Sequence, residues 1–240
     1  MTEYSPHLRH PEELESAILR HMDRTRVTIS WVVRRYFFPA HAYPDRKEAR
    51  VIAEKVLGQL VKKKKAIEIE SPGRTKTKLY LPAGSRQGEA AIGYDLGKLW
   101  ATYVRPVPRY PLTNEELREL LAPCPYKNIR HVIEPSSDVE GARTTGIIWR
   151  LYPTSAEVKE VIRSVKKIFR DAKKNVAEHI ENGDYGLLVL AETKSKATAI
   201  NKSLARSGES GGPLADRARI SVEFAPRPES LAKALKELQI

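Results

Sequence analysis

Cationic side chains are concentrated between residues 46 and 78. This stretch holds eleven lysines and arginines against four acidic residues, which leaves a net charge of +7. A lysine or arginine that neutralises a phosphate releases condensed counterions, and this release dominates non-specific affinity for nucleic acid. The pattern therefore predicts binding to double-stranded DNA. The predicted DNA-binding residues are Arg46, Lys47, Arg50, Lys55, Lys62, Lys63, Lys64, Lys65, Arg74, Lys76 and Lys78.

The same residues allow a simpler interpretation. A basic helix can present a merely solvated face, and the lysine run at 62–65 suits a helix C-terminus, where cations interact favourably with the helix dipole. We favour DNA binding because the charge coincides with a predicted helix and a predicted hairpin.

A second pattern with chemical potential is the motif Glu192-Thr-Lys194, which Asp184 precedes. Carboxylates and a lysine on one strand face can hold Mg²⁺ and activate water. A three-residue match is common by chance, however, and the simpler interpretation places Asp184 in a turn and the motif at the start of a helix. A Mg²⁺-dependent nuclease is therefore only the third hypothesis for this chain.

Other catalytic and metal sites are not indicated. The six histidines share no ligand spacing with the single cysteine, Cys124, so we expect no zinc site. Residues 208–213 are glycine-rich but lack the Gly-Lys-Ser/Thr of a phosphate-binding loop, and Cys124 has no base beside it. We expect no catalytic residue, no metal and no cofactor.

The composition of the chain indicates which class of partner it binds. The 240 residues carry a net charge of +12, with a pI near 9.7, and 41% of them are hydrophobic, which is enough to bury a core. This basic balance favours a polyanion, either nucleic acid or an anionic membrane surface. No apolar run approaches the roughly 20 residues of a spanning helix, and the polar N-terminus carries no cleavable signal. We expect a cytoplasmic protein with no membrane partner.

The cations must be positioned by a helix and a hairpin. Asp45 and Glu48 have capping-box spacing, which predicts a helix start. Apolar residues then recur at three- and four-residue steps as far as Leu60 and form one face. Short strands at 66–70 and 78–81 flank a Pro-Gly turn and predict a hairpin. A helix followed by a two-stranded wing is the winged-helix arrangement, which usually binds duplex DNA.

Two more helices are predicted before this one. Pro11 suits a helix first turn, and Ile18 and Met22 lie on an apolar stripe of about three turns. Thr28 is the predicted cap of a second helix over 29–36. The first domain, a winged helix-turn-helix, therefore covers residues 1–84.

These residues resemble a known family. The motif Val32-Val-Arg-Arg-Tyr-Phe-Phe-Pro39, the basic third helix and the closing motif Leu79-Tyr-Leu-Pro-Ala-Gly84 are similar to the winged helix of plasmid replication-relaxation proteins. The resemblance implies a DNA-binding accessory in plasmid or mobile-element replication and relaxation, with a replication protein or relaxase as a further partner. A transcriptional regulator is the alternative, because regulators use the same module.

Residues 85–112 are predicted as a connector, and residues 113–240 as an α/β domain. Thr113 opens a short helix, a strand pair lies at 129–134 and 146–152, and further strands alternate with helices up to a last helix at 228–238. This alternation predicts a mainly parallel sheet with right-handed crossovers.

A long helix is predicted from a cap at Thr154 to residue 182. Its apolar residues step alternately by four and three, as in a heptad seam. One interpretation is a homodimer seam with a basic ridge beside it. The other, which we favour, is a crossover helix packed on the sheet.

The order of these elements resembles the restriction-endonuclease-like core, which implies a three-layer α/β domain. Active members of that class carry an acid at the start of one strand and Glu-x-Lys or Asp-x-Lys on the next. Asp138 is the candidate acid, but the strand at 146–152 contains no acid. The resemblance therefore implies a non-catalytic platform, and we expect no enzymatic activity.

The DNA-binding roles follow from the winged-helix prediction. Arg46, Lys47 and Arg50 would reach base edges or phosphates in the major groove. The wing tip, with Arg74, Lys76 and Lys78, would contact the backbone or a neighbouring minor groove, and Lys62 to Lys65 would add phosphate contacts.

Overall fold

The computed structural model describes residues 11–39, 42–71, 77–85, 89–103, 109–123, 130–135, 146–207 and 218–226. These residues mix helices and sheets, which confirms the α/β class. They form two compact units, one that ends at Leu99 and one that begins at Trp100. The division lies inside the stretch predicted as a connector, which contains a 15-residue helix and a short strand.

The first unit consists of helices followed by a two-stranded antiparallel sheet and a further helix. Its elements are α1 (Pro11–Thr25), α2 (Ser30–Phe37), α3 (Arg46–Lys62), β1 (Ala66–Glu70), β2 (Lys78–Pro82) and α4 (Glu89–Tyr103). The strand register sets Ala66 opposite Pro82 and Glu70 opposite Lys78. The three predicted helices and the predicted hairpin are therefore confirmed as elements.

The core of this unit fixes which face of α3 is turned inward. Ile18 and Met22 of α1, Val33 of α2, and Leu57 and Leu60 of α3 are fully buried in one cluster. Removal of these side chains from water is the main driving force for packing, at about 25 cal/mol per Å² of apolar surface. The remaining faces of α3 are left for solvent.

The predicted cap at Thr28 is wrong. α2 follows Ile29, whose side chain forms no capping hydrogen bond. Thr28 instead exchanges two backbone hydrogen bonds with Tyr80 of β2, at 2.8 and 2.9 Å. Its hydroxyl also bonds Nε2 of the buried His21 at 2.8 Å. Tertiary pairing thus takes this residue away from local capping.

The second unit is a five-stranded sheet with helices between its strands. Its elements are β3 (Tyr110–Pro111), α5 (Asn114–Leu120), β4 (His131–Pro135), β5 (Gly146–Thr154), α6 (Val158–Arg170), α7 (Lys174–Asn182), β6 (Tyr185–Ala191), α8 (Lys194–Ser207) and β7 (Arg219–Phe224). Thr113 and Glu116 form the predicted capping box of α5.

The sheet is mixed rather than mainly parallel, which corrects the prediction. Its strand order is β3-β4-β5-β6-β7. β4 is antiparallel to β3 and β5, whereas β5, β6 and β7 are parallel to one another. Only the stretch 136–145 separates β4 from β5, which is shorter than the dozen or more residues of a parallel crossover.

The single long helix predicted up to residue 182 is two helices. α6 ends at Arg170, and α7 begins at Lys174. The break allows Phe169 of α6 and Val176 of α7 to bury in the same core beneath the sheet. Both residues belong to the predicted heptad seam. Their burial in the core agrees with the interpretation of this segment as a crossover packed on the sheet, and a homodimer stays a prediction. The predicted cap at Thr154 is also wrong.

Glu157 is the residue that precedes α6, and its side chain forms no capping bond. Thr154 Oγ1 accepts a hydrogen bond from the Ala156 backbone N–H at 3.1 Å instead. Several predictions fall outside the described residues: the helix at 228–238, the loop at 208–213, Cys124 and Asp138. Within the described ranges, none of the helices has both the length and the apolar sequence needed to cross a bilayer.

Candidate nucleic-acid interface

α3 begins where the sequence predicts. The Asp45 side chain accepts hydrogen bonds from the backbone N–H groups of Lys47, at 2.8 Å, and Glu48, at 3.2 Å. These two donors have no partner inside the helix, so the carboxylate satisfies them and favours the positive end of the helix dipole. The cap therefore fixes the register of every later side chain on α3.

The outward face of α3 is cationic. Ala49 and Ala53 are fully buried on the inner side, whereas Lys47, Val51 and Lys55 are exposed. Residues four apart lie on one helix face, so the two lysines flank Val51 along a single stripe. With Lys62 and Lys64, these lysines form no ion pair with any other described residue. This stripe is therefore positive charge that the described part of the fold leaves uncompensated.

Three of the predicted DNA-binding residues on α3 and β2 already have partners. Arg46 Nη1 donates to the Phe38 carbonyl oxygen at 2.7 Å, and its side chain is half-buried. Arg50 Nε bonds Glu54 Oε1 at 2.9 Å along α3. Lys78 of β2 pairs with Glu68 on the neighbouring strand β1.

Lys78 Nζ lies 2.8 Å from Glu68 Oε1, and this hydrogen bond, with the charge of the same carboxylate, raises the pKa of Lys78. Exposed ion pairs such as those of Arg50 and Lys78 contribute little to stability. Both cations can therefore exchange a carboxylate for another anion at small free-energy cost.

The lysine run at 62–65 closes the C-terminus of α3. Lys64 adopts a left-handed φ of 57°, and the backbone N–H of Lys65 donates to the Leu60 carbonyl oxygen at 2.9 Å. Lys63 Nζ lies 2.5 Å from a carboxylate oxygen of Glu15 on α1, and Lys65 Nζ lies 3.8 Å from the other. The run thus closes the helix, as the simpler interpretation proposed. Two of its four lysines also pair with α1, and all four are exposed. Arg74 and Lys76 lie outside the described residues.

Arg34 belongs to the same surface and is missing from the predicted site. It is half-buried on α2, and burial, followed by the positive charges of Arg46 and Arg50, lowers its pKa. Its Nε atom is buried and has no hydrogen-bond partner among the described residues. Next to it, the exposed Arg35 stacks over the Trp31 ring at 5.2 Å. The adjacent arginines Arg34 and Arg35 in the Val32–Pro39 motif are the sequence signal that could have added Arg34 to the predicted site.

The three arginines Arg34, Arg46 and Arg50 are named the arginine cluster. A half-buried guanidinium with two cationic neighbours is electrostatically unfavourable in the free protein. A phosphate group would supply further negative charge and an acceptor oxygen for Arg34 Nε, which has none among the described residues.

In the Glu192-Thr-Lys194 motif and the preceding Asp184, both acidic side chains pair with neighbouring residues of the second unit. Asp184 Oδ1 lies 3.0 Å from His179 Nδ1, in the turn after α7. Glu192 Oε1 pairs with Lys196 at 3.2 Å, and Lys194 is the first residue of α8. These positions agree with the interpretation of the motif as a turn and a helix start.

Two carboxylates do meet on one face of the sheet, but an arginine lies between them. The Arg109 side chain, 3% exposed, bonds Glu134 Oε2 at 3.0 Å and Glu223 Oε1 at 2.8 Å. Burial opposes the charge of Arg109, yet the bonds and charges of the two glutamates outweigh it and raise its pKa. Trp149 Nε1 donates to Glu134 Oε2 as well, at 2.9 Å. Both carboxylates are thus bonded to one shared arginine.

In the described part of the chain, no group of three or more histidine, cysteine, aspartate or glutamate side chains is arranged to hold a metal ion.

No family model and no curated protein sequence matches this chain. Function is therefore inferred from the residues themselves and from their geometry.

Proposed function

We propose that this chain binds double-stranded DNA through α3 and the adjoining two-stranded sheet, used as a winged helix. The observation that carries the proposal is the set of exposed lysines on the outward face of α3, Lys47, Lys55 and Lys62, none of which pairs with a described carboxylate. Such a stripe attracts a polyanion at long range and releases counterions when it is bound.

The arginine cluster supports the same proposal. A phosphate placed beside Arg34 and Arg50 would relieve the repulsion within the cluster and give the Arg34 Nε–H an acceptor. Arginine suits this role because its planar fork of donors matches phosphate geometry. On this proposal, repulsion within the arginine cluster lowers the stability of the free protein. Binding of a phosphate removes that repulsion and so contributes to the affinity for DNA.

The finer role that we propose is an accessory function in plasmid or mobile-element replication and relaxation. Its support is the resemblance carried by the Val32–Pro39 and Leu79–Gly84 motifs. A helix–helix–helix–hairpin order, in which Thr28 adds a bridge to β2, supports the winged-helix assignment. A transcriptional regulator uses the same DNA-reading module and remains the alternative.

For the second unit, we propose a restriction-endonuclease-like scaffold without a nuclease site. A mixed sheet in chain order, with helices between its parallel strands, supports the scaffold. The bonds from Arg109 to both Glu134 and Glu223 support the absence of a metal-binding role for this pair, because the guanidinium occupies the place between them. A replication protein or relaxase is the partner proposed for this unit, on the resemblance alone.

The decisive variant is Arg34→Gln, compared with Arg20→Gln as a matched loss of one exposed positive charge on α1. Binding of a random-sequence duplex to the full chain is measured by fluorescence anisotropy at several salt concentrations. Loss of one phosphate contact should reduce the slope of log K against log salt by about 0.9. We expect this reduction for Arg34→Gln, together with a higher melting temperature of the free protein, and neither change for Arg20→Gln.

Wild-type affinity that is undetectable at low salt would refute DNA binding altogether. An unchanged slope for Arg34→Gln would remove the arginine cluster from the interface.

Selection of bound DNA from a random duplex pool, followed by footprinting on the source genome, separates the two finer roles. Sites within an origin of replication or transfer support the accessory role, and sites within promoters support the regulator.

A further inference from the structure

The centre of the cationic face of α3 is apolar. Val51 is 63% exposed, which makes it the most exposed large hydrophobic residue in the described segments. It lies two residues from each of the buried Ala49 and Ala53, and this spacing puts it on the opposite side of the helix. Val51 therefore adds nothing to the core, and its β-branched side chain is a weak helix former. The fold alone gives no reason for it.

Gly58 occupies the same side of α3, two helical turns after Val51. A Cβ atom added at Gly58 would meet nothing within 4 Å, so the fold leaves room for a larger residue. Glycine is second only to proline as the least favourable residue in a helix interior. A glycine that packing does not require is consistent with the close approach of another molecule to the helix backbone.

The charge around these two residues identifies the class of molecule. Lys47, Lys55 and Lys62 surround Val51 and Gly58, and all three are exposed. The one carboxylate between them, Glu54, is paired with Arg50 at 2.9 Å, so this face stays positive. A polyanion is therefore attracted to this face, and the apolar side chain at its centre would be matched by an apolar group on that polyanion. In the major groove of duplex DNA, the C5-methyl of thymine is the apolar group that the base edges present.

We propose that Val51 packs against a thymine methyl group in the major groove, and that Gly58 allows α3 to approach the DNA closely enough for this contact. The proposal rests on the proposed DNA-binding function and deepens it, because it assigns the chain a sequence preference. Val51 is then a specificity-determining residue among neighbours that bind phosphate.

The first test uses the duplex selected from a random pool by the full-length protein. Each thymine of that duplex is replaced in turn by deoxyuridine, which removes only the methyl group. For the wild type, one replacement should weaken binding about fourfold, the effect of one buried methyl group. For Val51→Ala, the same replacement should have a clearly smaller effect, because the variant lacks the two γ-methyl groups that reach the thymine. Leu120→Ala, at an exposed position of α5, is the matched control and should keep the fourfold effect.

The second test compares Gly58→Ala with Gly93→Ala. Gly93 lies inside α4, and a Cβ there would also meet nothing within 4 Å. Both substitutions should raise the melting temperature by a similar amount, since alanine is the better helix former. Only Gly58→Ala should weaken binding to the selected duplex. Equal binding by the two variants would refute the close approach at Gly58.

The outcomes separate this proposal from the proposed function on which it rests. If no duplex is selected at any salt concentration, DNA binding fails and the thymine contact fails with it. If duplexes are selected but deoxyuridine is tolerated at every position, or is equally harmful to wild type and Val51→Ala, the thymine contact alone is refuted. The wild-type measurements with deoxyuridine still test the thymine contact if a variant does not fold.

Discussion

The first unit should lose stability in mild acid because of one histidine. His21 is fully buried against Phe37, with ring centroids 5.8 Å apart, and Nε2 shares a hydrogen bond with the Thr28 hydroxyl. Burial, and secondarily the positive charge of Lys98, lowers the pKa of His21 to about 3. The folded protein therefore keeps this imidazole neutral throughout the range in which the unfolded chain takes up a proton.

The direction of the effect follows from proton linkage. The lowered pKa means that the unfolded state binds more protons than the folded state between the unfolded pKa of 6.5 and the folded value of about 3. Stability therefore falls as the pH falls through this window, by about 1.4 kcal/mol per pH unit. Between pH 6.5 and 4.5 the loss from this one group is roughly 2 kcal/mol, a large share of the 5–15 kcal/mol that typical domains possess. Well above pH 6.5 the group has no effect.

The measurement is hydrogen–deuterium exchange of peptides from α1, corrected for the intrinsic exchange rate at each pH. Exchange reports the opening free energy of the first unit within the intact chain. The comparison is His21→Gln, whose amide can bond the Thr28 hydroxyl but cannot be protonated in this range. We expect the opening free energy of the wild type to fall more steeply with decreasing pH than that of His21→Gln. The difference in slope should approach that of one proton, about 1.4 kcal/mol per pH unit. Parallel pH profiles for the two proteins would refute the assignment.

Two further predictions concern the second unit. Arg109→Met should destabilise it by about 3–5 kcal/mol, because two glutamates would be left without their buried counter-charge, and a melting temperature close to that of the wild type would contradict this. Gly186→Ala should destabilise the sheet by about 1–3 kcal/mol, because the new Cβ would lie 2.6 Å from Cζ3 of Trp149 and 2.7 Å from the backbone oxygen of Arg219. Circular dichroism and thermal melts test this second change, and a wild-type melt would refute it.

Some features of this protein are determined by the sequence because they depend on residues a few positions apart. The cap at Asp45 and the capping box at Thr113 form through hydrogen bonds over two to three residues. The hairpin and the continuous apolar strand Tyr185–Ala191 are equally local signals. Local periodicity and capping are properties of the chain itself, so they can be read before folding.

The tertiary structure alone decided the rest. Thr28 bonds β2 rather than capping α2, and the predicted long helix breaks so that both of its parts can bury one apolar face. Arg34 joins Arg46 and Arg50 only because α2 packs on α3. Arg109 bonds glutamates that lie 25 and 114 residues further along the chain. Such contacts are selected by packing and charge between distant segments, and no spacing in the sequence encodes them.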